Sequence, residues 1–160
     1  MSEILQALYR GDAAAARELA RGPGLDVFEA AALGETARVR ELLEDDPGLA
    51  NAFGADGFHP LGLACSFGHL DSARLLLEHG ADVDALSKNE HIQTAAIHAA
   101  AASGETGVDE ATRYELVKLV LDHGADPNLP QAGGFRAIDA ARQNGDERLE
   151  RLLKDRGAVE

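Results

Sequence analysis

The chain has 160 residues, a length typical of one domain or of one short array of repeats. Only 4% of the residues are aromatic and none is Trp, so alanine and leucine dominate the 45% hydrophobic content, which favours thin, closely packed helices. The formal net charge of −13 argues against binding to duplex nucleic acid or to an anionic membrane, because both need a high density of Lys and Arg.

The amino-acid sequence shows no signal for secretion or for membrane insertion. The N-terminal residues, MSEILQALYRGD, lack a basic segment followed by an apolar run, so they do not resemble a signal peptide. No stretch approaches the roughly 18 consecutive apolar residues that span a bilayer. Cys65 is the only cysteine, which excludes an internal disulfide and fits a reducing compartment. We therefore expect a cytoplasmic protein that binds neither membranes nor nucleic acids.

Five related segments recur along the chain, and each ends in glycine. They are ILQALYRG (4–11), VFEAAALG (27–34), LGLACSFG (61–68), IHAAAASG (97–104) and IDAARQNG (138–145), with start-to-start offsets of 23, 34, 36 and 41 residues. Self-similarity at such a period is typical of repeat architectures. We predict a single all-α domain, a solenoid of about five helix-pair units with short hairpin-like loops. The approximate bounds of the units are 1–25, 26–50, 51–86, 87–128 and 129–160.

One unit shows how the pattern produces a helix pair. Between residues 61 and 77 apolar side chains recur at helical spacing, and Gly68 interrupts the run where a tight turn is expected. Gly80 and Gly124 follow the second helices of two units, where a left-handed residue commonly ends a helix. A helix pair this short buries too little surface to be stable alone, so the units must stack on one another.

Residues 57–85, GFHPLGLACSFGHLDSARLLLEHGADVDA, resemble an ankyrin repeat, as do TAAIHAAAASG and ELVKLVLDHGADPN in the next unit. The family signature is roughly G-x-T-P-L-H-x-A-A-x-x-G-H, followed by an apolar helix and by L-L-x-x-G-A-D-x-N. The resemblance implies a module that binds another protein through a concave face, formed by the hairpin tips and the first helix of each unit. It implies no catalysis and no cofactor. The acidic composition favours a basic partner, we expect a monomer, and the two terminal units are predicted to be caps.

Histidines mark the main departure from this signature. The Thr-Pro-Leu-His tetrad of the family reads HPLG at 59–62 and AAIH at 95–98. We predict that His59 caps the following helix in place of threonine, that Gly62 leaves room for its ring, and that His98 is the structural histidine of the family. An alternative function is a small-molecule or metal-dependent activity, since histidine titrates near neutrality and ligates transition metals. The side chains grouped by this alternative, at no recognised ligand spacing, are His59, His91, His98, Glu90 and Cys65.

The resemblance also assigns partner-binding positions one by one. Phe58, Phe67 and Phe135 are predicted to lie on the concave surface, where aromatic side chains commonly act as anchors. Packing between the units is the alternative role for each of them. The full predicted set is Asp56, Phe58, Ser66, Phe67, Lys88, Asn89, Glu90, His91, Thr94, Ser103, Phe135 and Asn144, with Tyr9, Leu33, Ala102 and Gln143 at equivalent positions.

Two insertions make the fourth unit unlike the others. The segment 81–94, ADVDALSKNEHIQT, is about three residues longer than the family pattern, and it is predicted to extend a hairpin tip that could reach a ligand. The segment 105–112, ETGVDEAT, adds about eight residues between the two helices of the same unit. The resemblance places this second insertion at the end away from the tips. Asp109 is predicted to cap a longer second helix with Thr112 inside it.

Overall fold

The computed structural model describes residues 1–22, 24–89 and 91–160, which form a stack of helix pairs. The α-helices of these segments are α1 Glu3–Tyr9, α2 Ala13–Leu19, α3 Val27–Leu33, α4 Thr36–Asp45, α5 Pro60–Ser66, α6 Leu70–Glu78, α7 Ala96–Ala101, α8 Glu110–Asp122, α9 Ala137–Gln143 and α10 Glu147–Asp155. Short 3₁₀ turns lie at Pro47–Asn51, Ser103–Thr106 and Ala132–Gly134, and the described segments contain no strand. The predicted all-α repeat fold is confirmed. No helix within these segments is long and apolar enough to cross a membrane.

Side-chain caps define where several helices begin. Asp26 and Glu29 form a reciprocal box at α3, in which each carboxylate accepts a hydrogen bond from the backbone N–H of the other residue, at 2.8 and 3.2 Å. The predicted cap of α8 is confirmed, since Asp109 accepts a 2.7 Å hydrogen bond from the amide of Thr112. The resulting helix has 13 residues. Local sequence thus determines where these helices begin.

The helix pairs form two layers with the core between them. The first helices α3, α5, α7 and α9 pack side by side, and the second helices α4, α6, α8 and α10 do the same behind them. Fully buried alanines at the contacts, among them Ala64, Ala73 and Ala100, let neighbouring helices approach closely. Leucines such as Leu76 and Leu153 fill the remaining space. Burial of one leucine contributes about 1.5–3 kcal/mol, so most of the stability comes from stacking of the units.

Asparagine side chains bridge successive units behind the hairpin tips. Asn51 donates through Nδ2 to the Gly80 carbonyl at 2.9 Å and accepts through Oδ1 from the Asp82 amide at 2.7 Å. Asn128, which follows α8, repeats the arrangement with the backbone after α10, where it bonds the Gly157 carbonyl at 2.9 Å and the Val159 amide at 2.8 Å. Each bridge satisfies two backbone groups at the end of a second helix, and it therefore fixes the spacing between units.

A buried ion pair joins the fourth and fifth units. Nη2 and Nε of Arg113 donate to Oδ2 of Asp146 at 3.1 and 3.2 Å, and the two side chains are only 7% and 6% exposed. Nη1 of Arg113 also donates to the Val108 carbonyl at 3.3 Å, which pins the second insertion. The other carboxylate oxygen of Asp146 caps α10 by accepting from the Leu149 amide at 3.1 Å. This pair was not predicted from the sequence.

Candidate protein-binding surface

The predicted partner-binding residues differ in how much of each side chain reaches solvent. We use the name first-helix face for the side of α3, α5, α7 and α9 turned away from the second helices, together with the hairpin tips. This surface corresponds to the predicted concave face. Glu90 lies outside the described residues. Of the others, Lys88, His91 and Asn144 are exposed, and Asp56, Phe58, Ser66, Phe67, Asn89, Thr94 and Phe135 are half-buried.

Ser103 was predicted to contact a partner, but its side chain is buried in the structure. The residue is only 1% exposed, and its hydroxyl donates a 2.7 Å hydrogen bond to the Ala100 carbonyl. The insertion that follows folds back over it, since the Thr106 hydroxyl and the Val108 amide both donate to the Ser103 carbonyl, at 2.9 and 3.1 Å. The family signature predicts an exposed residue at position 103, because the signature does not contain the insertion that covers Ser103 here.

Phe58 and Phe67 lie in an aromatic cluster with Tyr9 of the first helix pair. The Tyr9 ring centroid is 5.9 Å from that of Phe58 and 5.1 Å from that of Phe67, with the second contact edge-to-face. Burial, together with the nearby carboxylate of Asp56, raises the pKa of Tyr9 to about 12. Below the three rings, Leu63 of α5 is 1% exposed. Both phenylalanines therefore combine packing with partial exposure.

Phe135 also serves partly as packing. Its side chain is half-buried against the main core, and its carbonyl accepts a 2.8 Å hydrogen bond from the Gln131 amide across the 3₁₀ turn between them. The tip before α9 is thereby closed on itself. Since all three phenylalanines contact other side chains, none of them is a freely projecting anchor.

The longer hairpin tip of the fourth unit is folded against the tip before it. The Lys88 amide donates to the Gly57 carbonyl at 2.7 Å, and the Asn89 side chain donates to the Asp56 carbonyl at 3.0 Å. Gly57 has φ of +85°, and a Cβ at this position would lie 2.5 Å from the Lys88 carbonyl carbon, so only glycine fits. The Lys88 ammonium lies 4.2 Å from the ring centroid of Phe53.

Hydrogen bonds within this tip close it further. The Ser87 amide donates to the Thr94 carbonyl at 2.9 Å, and the Ser87 hydroxyl donates to the Ile92 carbonyl at 2.6 Å and accepts from the Thr94 amide at 3.0 Å. Asn89 accepts from the amides of His91 and Ile92, at 2.9 and 3.2 Å. The described part of the tip is therefore an ordered surface rather than an extended arm.

His59 and His98 each use both ring nitrogens to hold backbone. Nδ1 of His59 accepts from the Gly62 amide at 3.0 Å, so the predicted cap is confirmed, and its Nε2 is 3.0 Å from the Ala85 carbonyl. His98 pairs in the same way with the Ala95 amide at 2.9 Å and the Leu129 carbonyl at 2.6 Å. Burial lowers the pKa of both rings, which keeps them neutral, with Nε2–H donating.

Among the residues that the structure describes, which exclude Glu90, those of the alternative, metal-dependent hypothesis do not form a metal site. With both nitrogens of His59 and His98 engaged, neither ring can ligate a metal without losing a bond to backbone. Cys65 is fully buried, and burial raises the pKa of its thiol to about 12, which suppresses the thiolate. Across the part of the chain that the structure describes, no group of three or more His, Cys, Asp or Glu side chains could hold a metal ion.

The family relationship agrees with this geometry. A family model described as ankyrin repeats in three copies matches residues 4–87 and 27–131. The chain belongs to the ankyrin-repeat family. The buried His98 and the paired alanines of α7 occupy the positions that the signature of ankyrin repeats gives them. Ankyrin repeats generally act as protein–protein interaction modules.

The chain is similar to segments of longer curated proteins. The chain is 34% identical over 145 residues to mouse ankyrin repeat and SAM domain-containing protein 6, covering 82% of this chain and 15% of that protein. It is 30% identical over 122 residues to YahD, a putative ankyrin repeat protein of Escherichia coli strain K12, covering 75% and 57%. It is also 43% identical over 134 residues to a probable E3 ubiquitin-protein ligase of rice, XBOS33, covering 81% and 23%. The chain thus spans less than two thirds of the length of each.

Proposed function

We propose that this chain binds another protein through its first-helix face and catalyses no reaction itself. The general role of ankyrin repeats as interaction modules supports this proposal. The ligase among the relatives is a much longer protein, of which the matched segment makes up 23%. Its enzymatic name therefore gives no reason to assign chemistry to this chain.

The interlocked hairpin tips are the observation that carries the proposal. The bonds from Lys88 to Gly57 and from Asn89 to Asp56 hold two neighbouring tips in fixed register, and the asparagine bridges fix the same units behind the tips. A surface that is ordered before contact loses little conformational entropy on association, and this favours affinity. Such a surface suits recognition by shape.

Beyond the aromatic cluster, accessible positions with small or uncharged side chains lie on and next to α5, α7 and α9. They are the half-buried Ser66, Thr94, Ala99 and Ala102 and the exposed Gln143 and Asn144. With a net charge of −13 on the chain, a basic partner would be attracted over several ångströms. Charge complementarity of this kind mainly raises the association rate, and it weakens with salt because the Debye length is about 8 Å at physiological ionic strength.

Affinity capture with matched variants tests the proposal. His91→Arg and Asn144→Arg each place a long charged side chain on an exposed position of the surface, and Ala111→Arg adds the same charge on the exposed start of α8. We expect a protein captured from a lysate of the source cell by the unmodified chain and by Ala111→Arg, but lost by at least one of the two face variants. Capture that all four chains share, or that Ala111→Arg also loses, contradicts the proposal. The mass of the unbound chain in solution checks the expected monomer.

A further inference from the structure

Helix α1 lies on the first-helix face of the next two units. On α5, Leu61 and Cys65 face the main core, whereas Leu63 belongs to a separate cluster with Leu5 of α1 and Ala32 of α3. Leu5 is 4% exposed and Leu63 is 1% exposed, so the contact excludes water. The half-buried side chains around this cluster are Leu8, Phe28, Phe58 and Phe67. The surface expected to meet a partner is thus partly occupied by the chain itself.

In the part of the chain that the structure describes, apolar contacts join the first helix pair to the array. Among the described residues, no hydrogen bond or ion pair joins residues 1–22 to residues beyond them. Later units are tied by many such bonds, for example between the hydroxyls of Thr36 and Ser72 at 2.8 Å and between His69 and the Ala32 carbonyl at 2.9 Å. Apolar contact is non-directional, so this attachment specifies position less strictly than the others.

The packing under the pair is also incomplete. A cleft of about 230 Å³ separates the α1–α2 turn from the array and is lined by Leu8, Arg17, Leu33, Phe67 and other side chains. The pair itself buries only a few side chains, namely Ile4, Leu5, Ala7 and Ala16, and none of them belongs to the main core cluster. A unit with few buried contacts opens at a low free-energy cost relative to the rest of a fold.

We infer that the first-helix face of α3 and α5 is a groove for an amphipathic helix, which α1 fills within the chain until a partner helix displaces it. Leu5, Leu8 and Tyr9 stand at positions i, i+3 and i+4, the spacing by which helices dock into apolar grooves. The partner presents apolar residues at the same spacing, with an aromatic ring at i+4 to lie between Phe58 and Phe67. This inference rests on the proposed function, because it identifies the partner chemistry and the regulation of the same surface.

A peptide with the sequence of residues 1–12, MSEILQALYRGD, is a direct probe of the groove. Its binding is measured by fluorescence anisotropy to three full-length chains: the unmodified chain, Leu5→Ala/Tyr9→Ala, and Gln6→Ala. Gln6 is an exposed α1 residue and serves as the matched control. Weakening the internal helix raises the fraction of chains with an open groove, so the double variant should bind at least about tenfold tighter than the other two. A peptide carrying Leu5→Ala/Tyr9→Ala should bind none of them.

Equal affinity for all three chains, or no binding to the double variant at millimolar peptide, overturns the inference. Loss of the whole helical array in the double variant overturns it as well, because α1 would then be an integral cap. Hydrogen exchange of the unmodified chain gives an independent check. The amides of α1 and α2 should exchange at least about a hundredfold faster than those of α5 and α7, and equal rates contradict a displaceable helix.

These outcomes separate the inference from the proposed function. Peptide binding to the double variant without any captured protein would support the groove and refute the proposed function. A captured protein that is lost with Asn144→Arg, but binds the unmodified chain and Leu5→Ala/Tyr9→Ala equally, would support the proposed function. That result would refute the displacement of α1.

Discussion

The buried pair of Arg113 and Asp146 allows a quantitative test of how the last two units are joined. Asp146 has two separate tasks, since Oδ2 accepts from the guanidinium and Oδ1 caps α10 through the Leu149 amide. In Asp146→Asn the single amide oxygen can keep the cap, and the amide N–H₂ then faces the guanidinium in place of the second carboxylate oxygen. Asp146→Ala removes both the charge and the cap. The two substitutions therefore differ by the contribution of the cap.

The expected loss of stability follows from the burial of both side chains, which are 7% and 6% exposed. Removing one partner of a buried pair leaves an uncompensated charge and costs about 3–5 kcal/mol. Loss of a helix cap costs about 0.5–2 kcal/mol more. In a domain of this size, 1 kcal/mol lowers the melting temperature by about 2–4 °C, so Asp146→Asn should lower it by roughly 6–20 °C. Asp146→Ala should lower it further.

Thermal unfolding followed by circular dichroism at 222 nm measures these differences. The decisive variant is Arg113→Met/Asp146→Asn, which removes both charges and keeps the capping oxygen. Because the loss in the single variants comes mainly from an unpaired buried charge, the double variant should recover most of the melting temperature. If Asp146→Asn melts within about 2 °C of the unmodified chain, or if the double variant is no better than either single one, the reasoning about burial is refuted.

Three further outcomes follow from the structure. Gly57→Ala should lower the free energy of unfolding by about 1–3 kcal/mol, because Gly57 has φ of +85° and the next tip approaches it closely. An unchanged midpoint of urea unfolding would contradict this expectation. Burial lowers the pKa of His59, His69 and His98, so between the folded-state pKa values and the unfolded value of about 6.5 the unfolded chain binds more protons. The free energy of unfolding should therefore fall as the pH drops from about 7.5 to about 5.5. A midpoint of urea unfolding that does not change with pH would refute this prediction. Burial also raises the pKa of Cys65 to about 12, so a thiol reagent should modify it only as fast as the chain opens.

The helix pairs could be predicted because their determinants are local. Apolar periodicity marks each helix, and glycines such as Gly68 and Gly80, with φ of +83° and +88°, mark where each one stops. The caps at His59 and Asp109 follow from the same short-range chemistry, and both are confirmed. Each helix pair packs against a similar helix pair, so the same type of packing recurs along the array. The bounds of the five units stay a prediction.

The candidate surface could be predicted only in part, because exposure depends on residues far along the chain. Ser103 matches an exposed family position, yet a turn built from inserted residues buries it. In the sequence, Arg113 is an ordinary polar residue of a predicted helix. Only the fold brings it into contact with Asp146, which is 33 residues away. No periodicity within a single unit encodes such contacts. They arise where an insertion changes the packing between two units.

The position of the first helix pair has a signal in the sequence. The first repeat offset is 23 residues against 34, 36 and 41 for the others, and the missing residues are those of a hairpin tip. In the later units the tips supply some of the hydrogen bonds between neighbours, such as that from Lys88 to Gly57. A unit without a tip lacks this set of bonds, so apolar side chains contribute more to its position. Leu5 and Tyr9 reach Leu63, Phe58 and Phe67 for that reason, and the shortened link between the first two units thereby determines how much of the first-helix face is covered.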